Sequence, residues 1–402
     1  MILNRMAKTM TDKNKIKEFL NSRYIEQVFP SKERVAEMMG SGKQMVFYWG
    51  IDPTGPDVHL GHTTNAFVMK KLTELGHKII LLIGDFTATI GDPTDKEAVR
   101  KPLTEKEVKE NMKNYLDQIH KILPKGFFET KYNSKWYNKM NVKDWLELSA
   151  LLTQQQMVGR NMFQERIKND KPISMQEFIY PILQGYDSVA MDVDGEVGGN
   201  DQTFNMLVGR DLLRKLKGKE KIVITTRLLE DSATGKKLMN KSKGQYVSLN
   251  DSAEDMFGKV MAMSDSAMLL LFSYATEVAD SKIGEIKSRL ESGENPMIAK
   301  KELALELVKM YHGEKEAQKA KENFERVFSE GKLPEEMPEI KSAGTILQTT
   351  VMAGIVSSAS EAKRLIEQGA IEINGQAVNR WDQKDKPGDM LKVGSHKFFK
   401  LK

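Results

Sequence analysis

Two histidines three residues apart, His59 and His62, have the spacing that most clearly points to chemistry in this sequence. They end the run YWGIDPTGPDVHLGH, in which a Pro/Gly-rich loop separates an apolar strand-like segment from a segment with helical periodicity. Both imidazoles would lie on one side of the first helical turn, and Gly61 would let a ligand approach closely. The free N–H groups and the dipole at a helix N-terminus favour an anion. The run therefore predicts a phosphate-binding site that is not a P-loop.

Two other runs contain the residues of a known loop without its spacing. GSGK at residues 40–43 is not a P-loop, because Glu37 and Gln44 stand where a glycine and a Ser or Thr are required. DVDGE at residues 192–196 lacks the glycine that a calcium loop has at its sixth place. The sequence has no cysteine and no HExxH pair, which excludes disulfides, thiol nucleophiles and the common zinc sites. We therefore expect no metal site made of protein side chains.

Three further segments follow the histidine run in a fixed order. They are GDFTATIGDPTDKEAVR at residues 84–100, YPILQGYDS at residues 180–188 and GGNDQ at residues 198–202. Together with the run that ends in HLGH, they resemble the bacterial tyrosyl-tRNA synthetases, a family of class I aminoacyl-tRNA synthetases, and the resemblance covers essentially the whole chain. It implies that tyrosine is activated with ATP to tyrosyl-adenylate and pyrophosphate and then passes to the 3′ end of tRNA(Tyr).

The resemblance also implies roles for individual residues. Matching positions for stabilising the reacting phosphates are held by Thr54, His59, His62, Lys96, Arg100 and Lys241. Positions that would bind ATP are held by Gly50, Asp52, His59, Gly61, His62, Gln202, Lys241 and Ser242. Positions that would bind tyrosine are held by Tyr48, Asp92, Tyr180, Gln184, Asp187 and Gln202. Neither step needs a protein nucleophile, so catalysis would depend on positioning and charge stabilisation, with Mg²⁺ accompanying ATP.

Within the tyrosine set, Tyr48 and Asp187 match the pair that hydrogen-bonds the phenol of the substrate. Phenylalanine would leave both buried groups without a partner, so this pair would decide specificity. Tyr180, Gln184 and Asp92 match the positions that hold the α-ammonium group. The spacing of Tyr180, Gln184 and Asp187 puts all three on one face of a helix.

The second signature of class I synthetases, KMSKS, is altered in this sequence. The corresponding run is GKKLMNKSKG at residues 235–244, where Leu238 replaces the first lysine and Lys241 with the next serine matches the closing pair. The reaction requires a cation that reaches the pyrophosphate as negative charge develops there. Either Lys236 or Lys237 could replace the missing lysine.

The elements that must position these residues indicate an α/β fold. Apolar runs predict strands at Met45–Trp49, Ile79–Ile83, Val189–Val193 and Ile222–Thr225, and helical periodicity predicts a helix over His59–Leu75. Strand, helix and strand at this spacing imply a right-handed parallel crossover. We expect a Rossmann-like class I catalytic domain with a parallel sheet, followed by an α-helical domain and a small α+β S4-like RNA-binding domain.

Shifts in composition predict the borders of these domains. The predicted parts are the catalytic domain at 1–225, the KMSKS-like region at 226–250, the helical anticodon-side domain at 251–330, a linker at 331–341 and the S4-like domain at 342–402. The helical part is rich in Ala, Glu, Lys, Leu and Met, which are strong helix formers.

The C-terminal tail has the pattern of a small RNA-binding unit. Ser357 or Ser358 is placed to cap a helix that carries Lys363 and Arg364, the two residues predicted to contact RNA. An Asn-Gly pair at residues 374–375 predicts a hairpin turn. A basic helix held against a small sheet can follow RNA phosphates and shape.

Charge supports a polyanionic partner for the tail. The chain of 402 residues has a net charge of +5, and its last 62 residues hold ten basic and six acidic side chains. The sequence has neither an apolar run of membrane length nor a secretory signal, so we expect a cytoplasmic enzyme without a membrane partner. The resemblance implies a homodimer. Two alternatives stay open: an inactive synthetase-derived RNA-binding protein, and a synthetase for another aromatic amino acid, most plausibly tryptophan.

Overall fold

The structure of the chain is a computed structural model, and it describes residues 9–92, 103–231, 237–239, 246–326, 337–356, 358–394 and 397–402. The strands are β1 (Ile25–Phe29), β2 (Val46–Ile51), β3 (Lys78–Ile83), β4 (Glu129–Tyr132), β5 (Gly195–Gly199), β6 (Ile222–Thr226), β7 (Glu339–Ile340), β8 (Ile371–Ile373), β9 (Gln376–Ala377), β10 (Met390–Val393) and β11 (Lys397–Leu401). The α-helices are α1 (Lys13–Leu20), α2 (Lys32–Gly40), α3 (Thr63–Glu74), α4 (Thr87–Ile90), α5 (Glu105–Met112), α6 (Tyr115–His120), α7 (Ser134–Tyr137), α8 (Val142–Ser149), α9 (Gln154–Val158), α10 (Asn161–Lys168), α11 (Met175–Met191), α12 (Thr203–Lys217), α13 (Ala253–Met261), α14 (Asp265–Ala275), α15 (Asp280–Glu291), α16 (Pro296–His312), α17 (Glu314–Phe324), α18 (Ile346–Met352) and α19 (Ala359–Glu367).

The chain divides into two compact units. The first unit contains Met1–Asn250 and Ser264–Glu294, and the second contains Asp251–Met263 and Asn295–Lys402. The helices α14 and α15 thus belong to the first unit although they follow its sheet in the sequence. The domain borders given above remain predictions.

A six-stranded sheet in the order β1-β6-β5-β2-β3-β4 forms the centre of the first unit. Five of its strands are parallel, and β1 is antiparallel to β6. The strands predicted near residues 45–49, 79–83 and 222–225 are confirmed as β2, β3 and β6. Their apolar side chains are buried on both faces, as expected of parallel strands covered by helices. The parallel sheet confirms the α/β class.

The strand expected at Val189–Val193 is wrong. Val189 is a buried residue of α11, which continues to Met191 and ends where Asp192 adopts a left-handed conformation with φ of 52°. The strand follows one step later as β5, and all five of its residues are buried. Its sequence, GEVGG, resembles a turn, but a Cβ on Gly195 would lie 2.4 Å from the ring of Phe47 in the neighbouring strand. Glycine is therefore required by close packing.

The crossover from β2 to β3 brings the histidine run to the edge of the sheet. The helix predicted over His59–Leu75 consists of a short 3₁₀ turn at Leu60–His62 and the helix α3. Helix α3 is buried over most of its length, and β2 pairs with β3 in parallel register from Val46 with Lys78 to Ile51 with Ile83. The loop after β2 and the start of α3 therefore lie at the carboxyl ends of the strands, where α/β sheets bind ligands.

The second unit contains a helical part and a small mixed sheet. The helical character expected after residue 250 is confirmed through residue 326, where α13, α16 and α17 pack together around buried side chains such as Phe257, Leu303 and Ala317. In the tail, the sheet has the order β7-β11-β10-β8-β9 and packs with α18 and α19 around Ile346 and Leu391. The strand β7 overlaps the end of the predicted linker.

The predicted cap and turn of the tail are confirmed where the structure describes them. Ser358 caps α19 by accepting a hydrogen bond from the N–H of Glu361, whereas Ser357 lies outside the described residues. Asn374 and Gly375 adopt positive φ values of 50° and 80° between β8 and β9, as a hairpin turn of Asn-Gly type requires. Among the residues described, no helix is both long and apolar enough to cross a membrane.

Candidate active site

A cavity of about 740 Å³ opens at the carboxyl ends of the parallel strands in the first unit. The predicted site residues in its lining are Tyr48, Gly50, Asp52, Thr54, His59, Gly61, His62, Asp92, Tyr180, Gln184, Asp187 and Gln202. The structure thus brings together in one cavity residues that are up to 154 positions apart in the sequence, from 48 to 202. The predicted residues Lys96, Arg100, Lys241 and Ser242 lie outside the described part of the chain.

The two histidines form a reciprocal cap at the start of the 3₁₀ turn. The Nδ1 atom of His59 accepts a hydrogen bond from the N–H of Gly61 at 3.1 Å, and the Nδ1 atom of His62 accepts one from the N–H of His59 at 3.1 Å. In a neutral ring, an accepting Nδ1 puts the proton on Nε2, so the N–H of Gly61 selects for His59 the tautomer that can donate to an anion, whereas Nδ1 of His62 also lies 3.2 Å from the carbonyl oxygen of His59. A Cβ on Gly61 would lie 2.9 Å from the ring of His59, which explains why this place has no side chain.

Asp187 is a buried residue of the cavity lining and accepts three hydrogen bonds from one neighbouring segment. Its donors are the indole of Trp136 at 2.9 Å, the hydroxyl of Tyr137 at 2.7 Å and the amide of Asn133 at 3.3 Å. The side chain is almost completely buried, and this burial raises the pKa of Asp187 to about 8, although the three donors oppose the rise. A carboxyl group in this position can recognise a polar hydrogen at the end of an aromatic ligand.

Tyr48 lies beside Asp187 in the lining and is fully buried. Its hydroxyl lies 2.9 Å from the hydroxyl of Ser188, which also accepts a hydrogen bond from the ammonium of Lys221 at 2.7 Å. Burial, together with the negative charge of Glu196, raises the pKa of Tyr48 well above its ordinary value. The hydroxyl therefore stays protonated and can both donate and accept.

Asp52 and Tyr180 form a second polar group in the cavity. The hydroxyl of Tyr180 donates to Oδ2 of Asp52 at 2.9 Å, and the hydroxyl of Thr87 donates to Oδ1 at 2.8 Å. A Cβ on Gly84 would lie 1.9 Å from Oδ1, so a residue with a side chain at this place would displace Asp52. The sequence predicted Asp52 for ATP and Tyr180 for tyrosine; the structure brings the two side chains into direct contact.

A chain of carboxamide and carboxylate groups connects the remaining predicted tyrosine residues. Gln202 donates to Asp92 at 2.6 Å, and the amide of Asn205 donates to both Gln202 and Gln184 at 2.9 Å. Gln184 in turn donates to Glu196 at 3.1 Å. The side-chain oxygens of Gln184 and Gln202 both face the amide of Asn205, which fixes the orientation of these two groups, whereas Oδ1 of Asn205 is buried and meets no donor among the described residues.

Lys237 belongs to the altered motif and lies in the part of the chain that the structure describes. It lines the cavity, and its ammonium lies 2.8 Å from Oδ2 of Asp201. Leu238, which replaces the first lysine of the motif, donates its backbone N–H to Leu229 at 2.7 Å. Lys236, the other candidate, lies outside the described residues.

Several polar residues of the site were not predicted from the sequence. They are Thr87, Asn133, Trp136, Tyr137, Ser188, Glu196, Asn205 and Lys221. A buried carboxylate on α11 requires donors, and this requirement was the available signal, but nothing in the sequence says which distant segment supplies them. Over the residues that the structure covers, no group of three or more His, Cys, Asp or Glu side chains could hold a metal ion.

The predicted RNA residues Lys363 and Arg364 lie on α19 in the second unit. The ammonium of Lys363 lies 4.7 Å from the centre of the Trp381 ring, which is half exposed. A cation above an exposed indole can accept both a phosphate and a stacked base.

The comparisons with known proteins agree with this geometry. The family model of tRNA synthetases class I (W and Y) matches residues 40–329, and the S4 domain model matches residues 347–391. The tyrosine–tRNA ligase of Geobacter metallireducens is 41% identical over 92% of this chain and 94% of its own length, and that of Carboxydothermus hydrogenoformans is 40% identical over 94% and 96%. Among solved structures, a C-terminally truncated mitochondrial tyrosyl-tRNA synthetase of Coccidioides posadasii superposes with a TM-score of 0.59 at 26% identity, covering 76% of this chain and 91% of that one. The tyrosyl-tRNA synthetase of Archaeoglobus fulgidus in complex with L-tyrosine shares the fold, with a TM-score of 0.61 at 20% identity over 77% of this chain and all of that one.

Proposed function

This chain belongs to the class I tRNA synthetases of the tryptophan and tyrosine family, and from that premise we infer how its cavity attaches tyrosine to tRNA. The enzyme uses ATP to activate tyrosine and transfers the activated tyrosine to tRNA. In this family's reaction, which needs no protein nucleophile, the carboxylate of tyrosine itself attacks the α-phosphate. The role of the protein is then to position both substrates and to stabilise the departing pyrophosphate.

The observation that carries the choice of tyrosine is the pair of Asp187 and Tyr48 in the lining of the cavity. Both side chains are buried, and Asp187 accepts hydrogen bonds from three protein donors while facing the cavity. Tyrosine satisfies this pair with a phenol that donates to Asp187 and accepts from Tyr48. Phenylalanine offers this pair neither a donor nor an acceptor, and tryptophan offers a donor but no acceptor oxygen.

The other end of the amino acid is held by Tyr180, Asp92 and Gln184, in this proposal. Asp92 and Asp52, which accepts a hydrogen bond from Tyr180, supply negative charge for the α-ammonium group of tyrosine. Gln202 bonds to Asp92 and aligns it with the adenylate. The substrate's ammonium and phenol then fix its carboxylate toward the nucleotide.

The turn that carries His59 and His62 forms the part of the cavity that binds ATP in this proposal. We assign Thr54 and His59 to the pyrophosphate, and His62 and Gly61 to the ribose and adenine side, because all four line the cavity next to the strand ends. The Nε2–H of His59 is the donor that the cap leaves for this task. Gly50 and Asp52 lie on the same rim.

Three basic side chains and a serine complete this end in the proposal. Lys96, Arg100, Lys241 and Ser242 are assigned to the pyrophosphate by matching position, and Mg²⁺ is assigned to ATP because the triphosphate needs its charge neutralised. Lys237 takes the role of the lysine that Leu238 replaces, since its ammonium already lies in the cavity wall.

The decisive experiment is ATP–pyrophosphate exchange with each of the standard amino acids in turn. Exchange that depends on tyrosine and reaches no comparable rate with tryptophan or phenylalanine is the expected result. Exchange with tryptophan would assign the enzyme to the other branch of the family. Absence of exchange with every amino acid, together with retained tRNA binding, would favour an inactive RNA-binding descendant.

The tail is proposed to bind tRNA(Tyr) through α19, where Lys363 and Arg364 lie close to Trp381. Replacing both basic residues by alanine should lower tRNA charging at least about tenfold and flatten its dependence on salt, because fewer phosphate contacts release fewer counterions. Adenylate formation should stay unchanged, and the same is expected of a chain that lacks residues 337–402. Equal charging by the variant and the unchanged protein at physiological salt would contradict the assignment. The family also suggests a homodimer working in the cytoplasm, which sedimentation and fractionation would test.

A further inference from the structure

We propose that Lys221, which does not line the cavity, is a positioning residue that directs the hydroxyl proton of Tyr48 toward the phenol of the substrate. The proposal rests on the proposed function, because it concerns how the same pocket distinguishes tyrosine from phenylalanine. It assigns a specificity role to a residue that lies directly before β6 and behind the pocket wall.

Lys221 is completely buried, which is unusual for a lysine and requires partners for its ammonium. The ammonium donates to the hydroxyl of Ser188 at 2.7 Å and to the carboxylate of Glu196. It also lies 5.8 Å from the centre of the Tyr48 ring. The charge thus lies directly behind the aromatic wall that the substrate is expected to contact.

The direction of the hydrogen bonds follows from the chemistry of the ammonium. An ammonium has three donors and no acceptor, so Ser188 can only accept from Lys221. The proton of Ser188 is then available for Tyr48, whose hydroxyl oxygen lies 2.9 Å away. When Tyr48 accepts from Ser188, its own proton can point away from Ser188 and toward a ligand oxygen in the cavity.

Glu196 is the competitor for that proton. Its carboxylate lies close enough to Tyr48 to raise the pKa of the hydroxyl, both through its charge and as a hydrogen-bond acceptor. Lys221 and Gln184 each occupy one oxygen of Glu196. By engaging this carboxylate, Lys221 weakens its hold on Tyr48 and frees the proton for the substrate.

The surrounding backbone is shaped to admit the ammonium. A Cβ on Gly209 of α12 would lie 2.5 Å from Nζ of Lys221 and 2.9 Å from the hydroxyl oxygen of Ser188. Any residue with a side chain at this place would push the ammonium away from Ser188. A fully buried ion pair contributes little net stability compared with apolar packing, so a role in orientation accounts for it better than a role in folding.

The test compares two replacements of similar length. Lys221→Met removes every donor, whereas Lys221→Gln keeps an N–H donor for Ser188. Lys219→Met is the matched control, since Lys219 lies two residues earlier, forms ion pairs with Asp192 and Asp194 and is partly exposed. The measurement is kcat and KM in ATP–pyrophosphate exchange with tyrosine and with phenylalanine.

We expect Lys221→Met to lower the tyrosine-over-phenylalanine ratio of kcat/KM about tenfold, through a higher KM for tyrosine, while the KM for ATP changes less than about twofold. Lys221→Gln should recover most of the ratio, and Lys219→Met should leave it unchanged. The ratio of the double variant Lys221→Met, Glu196→Gln should lie between those of Lys221→Met and the unchanged protein, because the competing carboxylate is gone but Ser188 still lacks its donor. If Lys221→Met does not fold, the tyrosine-over-phenylalanine ratio of the double variant is compared with that of the unchanged protein.

Three results would overturn the proposal: an unchanged ratio in folded Lys221→Met, an unchanged ratio in the folded double variant, or equal losses for tyrosine and ATP. A failure of the proposed function is visible separately, because the unchanged protein would then show no exchange that depends on tyrosine.

Discussion

The two ends of the cavity differ in how deeply their residues are buried and in what these residues are hydrogen-bonded to. At the amino-acid end, Asp187, Tyr48 and Tyr180 are buried, and each is hydrogen-bonded to another side chain of the protein. At the nucleotide end, His59 and His62 are partly exposed and bond to the backbone of their own turn. The first arrangement is rigid before a ligand arrives and suits selection. Under the proposed assignment, the second gains its full interactions only as charge develops on the pyrophosphate, and it would serve rate enhancement.

The largest expected effect would come from removing the acceptor at the rigid end. Asp187→Ala leaves three buried donors and the substrate phenol without their acceptor, so kcat/KM for tyrosine should fall by about 10³-fold or more, while the KM for ATP changes little. Exchange kinetics with each substrate varied would show this, together with a melting curve to confirm folding. Equal losses for tyrosine and ATP would mean that the two ends are not separable.

At the other end, His59→Ala and Thr54→Ala should slow adenylate formation by about 10²–10³-fold, the usual effect of losing one donor to a developing charge. Tyrosine affinity should be nearly unchanged, because neither residue is assigned to tyrosine. Pre-steady-state adenylate formation separates the two quantities. A higher KM with an unaltered rate would show that these residues bind the ground state instead.

A smaller effect is expected from Tyr48→Phe, which removes one neutral hydroxyl. The kcat/KM for tyrosine should fall about three- to tenfold, and the preference over phenylalanine should fall with it. Tyr24→Phe is the matched control: its hydroxyl is also buried but donates to the backbone oxygen of Thr276, away from the cavity. A loss of preference in the control would point to an indirect effect on packing.

The smallest effect concerns stability. Asp187 has a pKa of about 8 in the folded chain and an ordinary value of 3.8, so the folded state binds the extra proton between these values. Stability therefore falls as the pH rises from about 4 to about 8, and Asp187→Asn removes that fall. The melting temperature of the variant, minus that of the unchanged protein, should rise by roughly 5–10 °C across this window and level off above it.

A second group checks the sign of that prediction. Burial lowers the pKa of His77 to about 4, so this residue makes stability rise with pH in both proteins, and its contribution cancels in the difference. A difference that falls with pH would contradict the raised pKa of Asp187.

Local patterns in the sequence were sufficient for much of the fold. The apolar runs at β2, β3 and β6 and the helical periodicity of α3 predicted those elements, because each has a strong local signal. The strand β5 was missed because its glycines are dictated by the approach of Phe47, which is a contact across the sheet. The spacing of Tyr180, Gln184 and Asp187 on one helix was also a local signal, and all three line the cavity.

The partners of these residues could not be predicted in the same way. Asn133, Trp136 and Tyr137 reach Asp187 from a segment about 50 positions earlier, and Lys221 reaches Ser188 from 33 positions later. No periodicity or motif connects such segments; only the packing of the sheet and its helices brings them together. A charged residue in a buried segment indicates that a partner must exist, but only the three-dimensional fold determines which residue that partner is.

The three donors around Asp187 also limit how the pocket can change in evolution or in the laboratory. An amino acid without a phenol requires an apolar residue at position 187, but that single step removes the acceptor of the Trp136 indole and one acceptor each of Tyr137 and Asn133, which also bond to Leu183 and Thr87. Every one-step route to a new substrate therefore passes through a poorly active and less stable protein. If Trp136 and Tyr137 are replaced by apolar residues before Asp187, or together with it, fewer poorly active intermediate variants are expected. The order in which substitutions are introduced, more than their number, would decide whether the specificity of this enzyme can be redirected.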